Sequence, residues 1–267
     1  TSTHSGAGIP MATDIAFALG ILSLLGNRVP TSLKVFLTAL AVIDDLGAIL
    51  VIAVFYTKTL LWTNLLIALG IFCLLLILNR LKVKNLIPYL IGGVIMWYFM
   101  LNSGVHATIT GVLLAFAIPF GDGSKKSTSI VLQHFLHKPV AFIILPIFAL
   151  ANTAILLSSS IGEILIQHYS MGIALGLIVG KPLGIFALSF LAVKMGICKL
   201  PKDLNWKSIF AVGFLGGIGF TMSIFVTLLA FDDAIIINNA KFIILLSSLT
   251  AGIIGFLSLK LILKTKG

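Results

Sequence analysis

Nine apolar runs follow one another along the chain, at 8–26, 33–57, 60–79, 86–101, 104–120, 139–158, 171–193, 208–231 and 235–259, each bounded by charge, proline or glycine. A helix needs about 20 such residues to cross a hydrocarbon layer of roughly 30 Å. Only 10% of the 267 residues are charged, against about a quarter in a soluble domain. The runs and the short polar stretches between them leave almost no room for a water-soluble domain. The reading is an all-α membrane protein, a polytopic helix bundle forming a single transmembrane domain over 1–267.

The basic residues give this bundle a direction. Arg28 and Lys34, then Arg80, Lys82 and Lys84, then Lys125, Lys126 and Lys138, then Lys194, Lys199, Lys202 and Lys207, and finally Lys260, Lys264 and Lys266 all follow odd-numbered runs. Lys58 and Lys241 alone fall on the opposite side. Positive loops stay cytoplasmic, so the segment starts outside and its C-terminus is cytoplasmic. The formal charge of +10 therefore reflects topology, and with no helix-turn-helix, zinc-finger or RNA-binding signature it does not point to nucleic acid. Cys73 and Cys198 match no metal or redox spacing and read as packing residues. Asp122, Glu163, Asp203, Asp232 and Asp233 read as solvated loop acids, and His4, His134, His137 and His168 as loop or helix-end histidines. His106, opening the fifth run, is either an interface histidine or a titrating, pH-sensing group.

The informative residues are the charges inside the runs: Asp14 in the first, Asp44 and Asp45 at the middle of the second, and Lys181 at the middle of the seventh. Each costs about 2.5–3.5 kcal/mol at a helix centre, so four cost on the order of 10 kcal/mol, comparable with the whole stability of a domain. They are tolerable only if they face a protein or water-filled interior and pair with one another. Small residues Thr38, Ala41 and Ala48 share the face of the aspartates, and Gly172, Gly176, Gly180 and Gly184 form a ladder around Lys181 that admits a close neighbour. Lys181 is either a structural ion pair or part of a working site. Asp44 and Asp45 point about 100° apart on a helix, so one can pair with Lys181 while the other faces a cavity. Two neighbouring, poorly solvated carboxylates take up protons more readily than carboxylates in water. Such a site holds a proton or a small cation, not both.

Two runs also look broken. The first reads Gly8-Ile9-Pro10-Met11-Ala12-Thr13-Asp14, and the eighth carries Gly213, Gly216, Gly217 and Gly219 ahead of Phe220-Thr221. The glycines suit either close packing or an interruption. A pair of interrupted helices signals a midplane binding site, with half-helix ends for Asp14 and Lys181 to offset.

Five motifs in order, Ala12–Gly20, Ile43–Ala48, Ser103–Thr108, Gly180–Gly184 and Gly217–Ser223, resemble those of the bacterial NhaA sodium–proton antiporters, a family that is itself a type case of inverted repeats and broken helices. The resemblance implies twelve spans, of which the first three are expected to be absent from this chain, and two discontinuous crossing helices in an inverted-repeat antiporter fold. It implies Na+ at Asp45 and Asp44, with Asp44 pairing with Lys181 when sodium is absent, and Thr13, Asp14 and Lys181 supporting the site at the helix crossing. It implies electrogenic, pH-dependent exchange of cytoplasmic Na+ or Li+ for external H+ in the bacterial inner membrane, with no cofactor. The family pattern also suggests a homodimer whose main contacts lie in the missing region, and a nine-helix fragment that moves little by itself. One departure is Gln133, beside His134, where family members often carry a carboxylate linked to activation by alkaline pH.

Two other functions compete. An intramembrane aspartyl protease would set its two aspartates on facing helices, which adjacent Asp44 and Asp45 cannot do, so an enzyme is not expected. A sodium-coupled symporter of a small organic solute is the alternative; it would want an anion-binding arginine or a polar pocket, and no arginine follows Arg80.

Overall fold

The computed structural model describes residues 4–56, 60–121, 127–155 and 160–263. Among these, every regular element is helical. A 3-10 helix at His4–Met11 leads into α1 (Ile15–Ser23), α2 (Thr31–Phe55), α3 (Trp62–Arg80), α4 (Ile87–Asn102), α5 (Thr108–Ala117), α6 (Thr128–Pro139) and α7 (Leu145–Thr153). The short α8 (Ile161–Ile166) precedes α9 (His168–Leu175), α10 (Lys181–Lys194), α11 (Trp206–Gly216), α12 (Phe220–Ala230) and α13 (Ala234–Ile262). Of the basic and acidic loop residues read above, Lys58, Asp122, Lys125, Lys126, Lys264 and Lys266 lie outside the described residues, as do the ends of the expected runs 33–57 and 139–158.

Six of the described helical segments are long and apolar enough to cross a membrane: Ser5–Ser23, Thr31–Phe55, Trp62–Arg80, Thr128–Thr153, His168–Lys194 and Ala234–Ile262. A seventh is discontinuous, with Trp206–Gly216 and Phe220–Ala230 meeting at a bend of 48°. The glycine-rich break between them gives up the helical backbone that Gly217 and Gly219 are poor at holding. Ile87–Asn102 and Thr108–Ala117 are shorter apolar helices. Large apolar side chains such as Leu24, Phe55, Phe142 and Leu261 stand exposed on the outside, as a surface bathed by hydrocarbon requires. The chain is a multi-pass membrane protein.

Two segments within longer helical spans widen from α to π geometry, each beside a proline. Val140–Ile144 follows Pro139, and Gly176–Gly180 runs up to Lys181-Pro182; both are π turns. Pro182 has no amide hydrogen to give the turn before it. The helix widens there, and the Lys181 amide donates five residues back, to the Gly176 carbonyl.

The chain forms two compact units, Thr1–Ala48 with Phe148–Gly267, and Ile49–Ile147. The second is a conventional packed bundle, with Ala68, Leu75, Tyr89, Met96 and Met100 at its centre and the Tyr89 hydroxyl donating to the Val83 carbonyl at 3.0 Å. The first buries Ile9, Leu33, Leu37, Leu177, Leu215 and Ile224 together with a set of polar groups.

Several loop expectations need correcting. The helical segment expected to begin at 139 begins at Thr128 and is helical to Thr153, so Gln133, His134, His137 and Lys138 are helical; polar residues interleave with apolar ones there, and a reading that followed hydrophobicity alone began too late. Glu163 completes a capping box with Ser160 at the start of α8. Asp203 and Asp233 are exposed loop acids as expected, with partners besides water: Asp233 caps α13 by accepting from the Ile235 amide, and Asp203 accepts from the Ser32 hydroxyl at 2.5 Å. Cys73 and Cys198 are free and exposed, so neither packs in a core. Lys241 is not a loop charge: it lies in the second turn of α13 with its stem buried.

Candidate functional site

The residues of the site come from four places in the first unit. Ala12, Thr13 and Asp14 form a short non-helical stretch between the opening 3-10 helix and α1. Asp44 and Asp45 lie on α2, Lys181 begins α10, and Gly216 to Thr221 span the break between α11 and α12.

The two interruptions are stitched together through main-chain groups. The Asp14 amide donates to the Ile218 carbonyl at 2.6 Å, and the Thr13 hydroxyl donates to the Gly216 carbonyl at 2.9 Å. The Ser223 hydroxyl donates to the Ile9 carbonyl at 2.7 Å. Unwound backbone at membrane depth leaves amides and carbonyls that must find partners inside the protein, and here each break supplies partners to the other.

Asp14 is the hub of this crossing. Its Oδ1 accepts from the Phe17 amide at 3.1 Å, capping α1. Its Oδ2 accepts from the Thr221 amide at 3.1 Å and from the Thr221 hydroxyl at 2.5 Å. One buried carboxylate therefore sits at the N-terminal ends of α1 and α12 together, where the partial positive charge of each half-helix is concentrated. At the opposite kind of end, the Lys181 ammonium donates to the carbonyl of Met11, the last residue of the 3-10 helix, at 2.6 Å.

Lys181 also makes an ion pair with Asp44, Nζ to Oδ2 at 3.2 Å. The same Oδ2 lies 2.7 Å from the Thr13 hydroxyl, whose single proton serves this oxygen or the Gly216 carbonyl. Asp44 is thus paired twice, whereas Asp45, one residue on, is not: its Oδ1 is buried and has no hydrogen-bond partner among the described residues. A cavity of about 480 Å³ opens beside the pair, lined by Asp44, Lys181, Met11, Gly47 and the glycines 176, 180 and 184. Ala41 and Ala48 are buried on α2 as the small-residue stripe implied, while the Thr38 hydroxyl bonds back to the Lys34 carbonyl of its own helix.

Thr13, Asp14, Asp44, Asp45 and Lys181 are therefore gathered in one unit. His106 is not among them. It occupies the turn between α4 and α5 in the second unit, ahead of the first residue of α5. Among the partners that sequence reasoning passed over are Thr221 and the carbonyls of Met11 and Gly216. Thr221 had a signal, being a hydroxyl residue in the first turn after a glycine break, where a half-helix presents free amides. The two carbonyls had none, since any residue carries one.

A multi-pass bundle with crossed, interrupted helices and an ion pair beside a cavity has the build of an ion-coupled secondary transporter. A family model described as Na+/H+ antiporter 1 matches residues 1–259. The Na+/H+ antiporter NhaA of Flavobacterium psychrophilum is 82% identical over 99% of this chain and 69% of its own length. The Na+/H+ antiporter NhaA 1 of Flavobacterium johnsoniae is 66% identical over 99% of this chain and 70% of its own. For the Na+/H+ antiporter NhaA of Cytophaga hutchinsonii the figures are 64%, 99% and 68%. The chain belongs to the Na+/H+ antiporter 1 family, a family of transporters.

Proposed function

We propose that the protein exchanges sodium for protons at Asp44 and Asp45, moving Na+ out of the cytoplasm against entering H+. The observation that carries this reading is the contrast between neighbours, Asp44 held by Lys181 and Thr13, and Asp45 with a buried oxygen that nothing donates to. Two carboxylates and one ammonium leave a single negative charge uncompensated. One monovalent cation or one proton neutralises it, and each excludes the other. Oxygen ligands suit a hard ion such as Na+, and the Thr13 hydroxyl is within reach of the same carboxylate.

The ion pair adds the coupling. A cation that draws Asp44 as well as Asp45 competes with Lys181 for Oδ2. Releasing Lys181 frees a second ionisable group to give up its proton, so one sodium displaces more than one proton and the exchange carries net charge. Acid loads the site with protons and suppresses sodium binding, so exchange weakens as pH falls. Li+ is a second cargo on the same chemistry, being a smaller hard cation. The protein works in the bacterial inner membrane with its C-terminus in the cytoplasm, the side to which the basic loops assign it.

The test imposes a proton gradient across sealed vesicles carrying the full-length protein and adds Na+, Li+ or K+. Collapse of the gradient with Na+ and Li+ but not K+, lost in Asp45→Asn, is expected. Unchanged exchange in Asp45→Asn would overturn the assignment, and collapse that needs an added organic solute would favour symport.

A further inference from the structure

A third element, α13, holds the crossing of the two interruptions. Ser248, Gly252 and Gly255 fall at the spacing that puts residues on one face of a helix. A methyl group on Gly255 would stand 2.7 Å from the Leu215 Cδ2 and 3.2 Å from the Leu215 amide nitrogen. One on Gly252 would stand 2.9 Å from the Ile21 Cδ1 and 3.6 Å from the Ile218 Cδ1. This face of α13 is bare because α1, the end of α11 and the break lie directly on it. Ser248 gives the same face a polar group. It is buried, and its Oγ accepts from the Phe220 amide at 3.1 Å.

The Phe220 and Thr221 amides are the first two of α12, and the opening amides of a helix find no partner within it. Ser248 takes the first and Asp14 the second, each at 3.1 Å. Asp14 has no acceptor to spare, because its Oδ1 already caps α1 through the Phe17 amide and its Oδ2 also holds the Thr221 hydroxyl. Without the Ser248 oxygen, a buried amide at the positive end of α12 is left bare beside this carboxylate and draws it. Thr13, the residue before Asp14, is carried along, and its hydroxyl lies 2.7 Å from the Asp44 Oδ2.

We infer that Ser248 is a positioning residue for sodium exchange, taking the Phe220 amide so that Asp14 stays with Thr221 and Thr13 stays against Asp44, an inference resting on the exchange site proposed above. Ser248 touches no transported ion and neither aspartate of α2. It acts on how tightly sodium is held, because the group it keeps in place is a hydroxyl beside the binding carboxylate. Asp45 and Lys181 belong to α2 and α10 and do not ride on this stretch of chain, so a site short of the Thr13 hydroxyl still loads protons and still turns over. Ser247 provides the contrast. It is equally buried, points about 100° away round the helix and takes neither amide.

Sodium-dependent proton movement by the full-length protein in sealed vesicles, measured over a range of Na+ concentrations, tests this. Ser248→Ala is expected to raise the Na+ concentration for half-maximal exchange about tenfold, the low end for loss of a residue that orients an ion's ligands, with the maximal rate little changed. Ser248→Thr, which keeps the hydroxyl, is expected to restore the wild-type value, and Ser247→Ala to leave it where it is. Half-saturation does not depend on how much of the protein is active, so partial unfolding cannot imitate the effect. If Ser248→Ala does not fold at all, Ser248→Cys, with its weaker acceptor, is expected to give a smaller rise. A double-mutant cycle reads the route: added to Thr13→Val, Ser248→Ala should raise half-saturation less than it does alone. Half-saturation unchanged by the Ser248 substitutions, an equal rise in Ser247→Ala, no rescue by Ser248→Thr, or full additivity with Thr13→Val would overturn the inference. In all of these the wild type still exchanges sodium and the site at Asp44 and Asp45 stands, whereas a wild type that exchanges none overturns both.

Discussion

Asp14 and Asp45 are the same residue type in the same compact unit, and their surroundings are opposites. Asp14 is 2% exposed and accepts from three donors, while its own amide closes a fourth bond across the helix crossing. Asp45 keeps a buried oxygen with no donor. A carboxylate whose acceptor sites are consumed by fixed amides and hydroxyls cannot take up and release a cargo without unpicking the fold. A carboxylate left short of partners binds whatever cation arrives. In the exchange proposed above, the charge at the crossing builds the site and the charge on α2 works it.

That contrast breaks most sharply at Asp45. Asp45→Asn removes the uncompensated charge, and sodium-dependent proton movement in vesicles should disappear. The buried Oδ1 has no donor to lose and its charge is costly to bury unpaired, so thermal stability in detergent should be unchanged or higher. A large destabilisation would mean that Asp45 is structural after all. Asp14→Ala should behave in the reverse sense. It strands two amides and a hydroxyl in a buried crossing, at a cost of about 3 kcal/mol, and the amount of folded protein should fall before any change in ion selectivity is seen. Asp14→Asn, which keeps one acceptor oxygen, should recover part of that stability. Equal stability of Asp14→Ala and wild type in a melting experiment would remove the distinction between the two aspartates.

How much of this could be read in advance follows the same divide. The aspartates, the lysine and the two breaks are residues out of place in an apolar run, so the cost of burying them marks them in the sequence. The discontinuity at Gly217–Gly219 was legible for the same reason, because glycine is a poor occupant of a helix interior. What the sequence left dark are the main-chain acceptors: the Met11 carbonyl that Lys181 finds, the Gly216 carbonyl that Thr13 finds and the Ile218 carbonyl that the Asp14 amide finds. No side-chain identity encodes them. The start of α6 at Thr128 was hidden by polar residues among the apolar ones, and the caps made by Glu163 and Asp233 by their resemblance to any loop acid.

Thr221→Val sharpens the comparison from the donor side. It deletes one charge-assisted bond to Asp14 yet keeps the shape, and should cost about 1.5 kcal/mol, the upper range for a single hydrogen bond between membrane helices. The Thr221 amide still holds Oδ2, which limits the loss.

The smallest expected effect is the most diagnostic control. Ser32 donates to Asp203 at 2.5 Å, and Thr221 donates to Asp14 at the same distance, hydroxyl to carboxylate in both cases. They differ in exposure, the first pair lying at the surface and the second buried at the crossing. Water replaces the lost partner at the surface, so Ser32→Ala should change the unfolding free energy by less than about 0.5 kcal/mol, roughly a third of the Thr221→Val effect. Near-equal losses for the two substitutions would show that bond length rather than burial sets the strength. The reason for treating Asp14 as architecture would then go, because its short bonds would be worth no more than those of an aspartate in a loop.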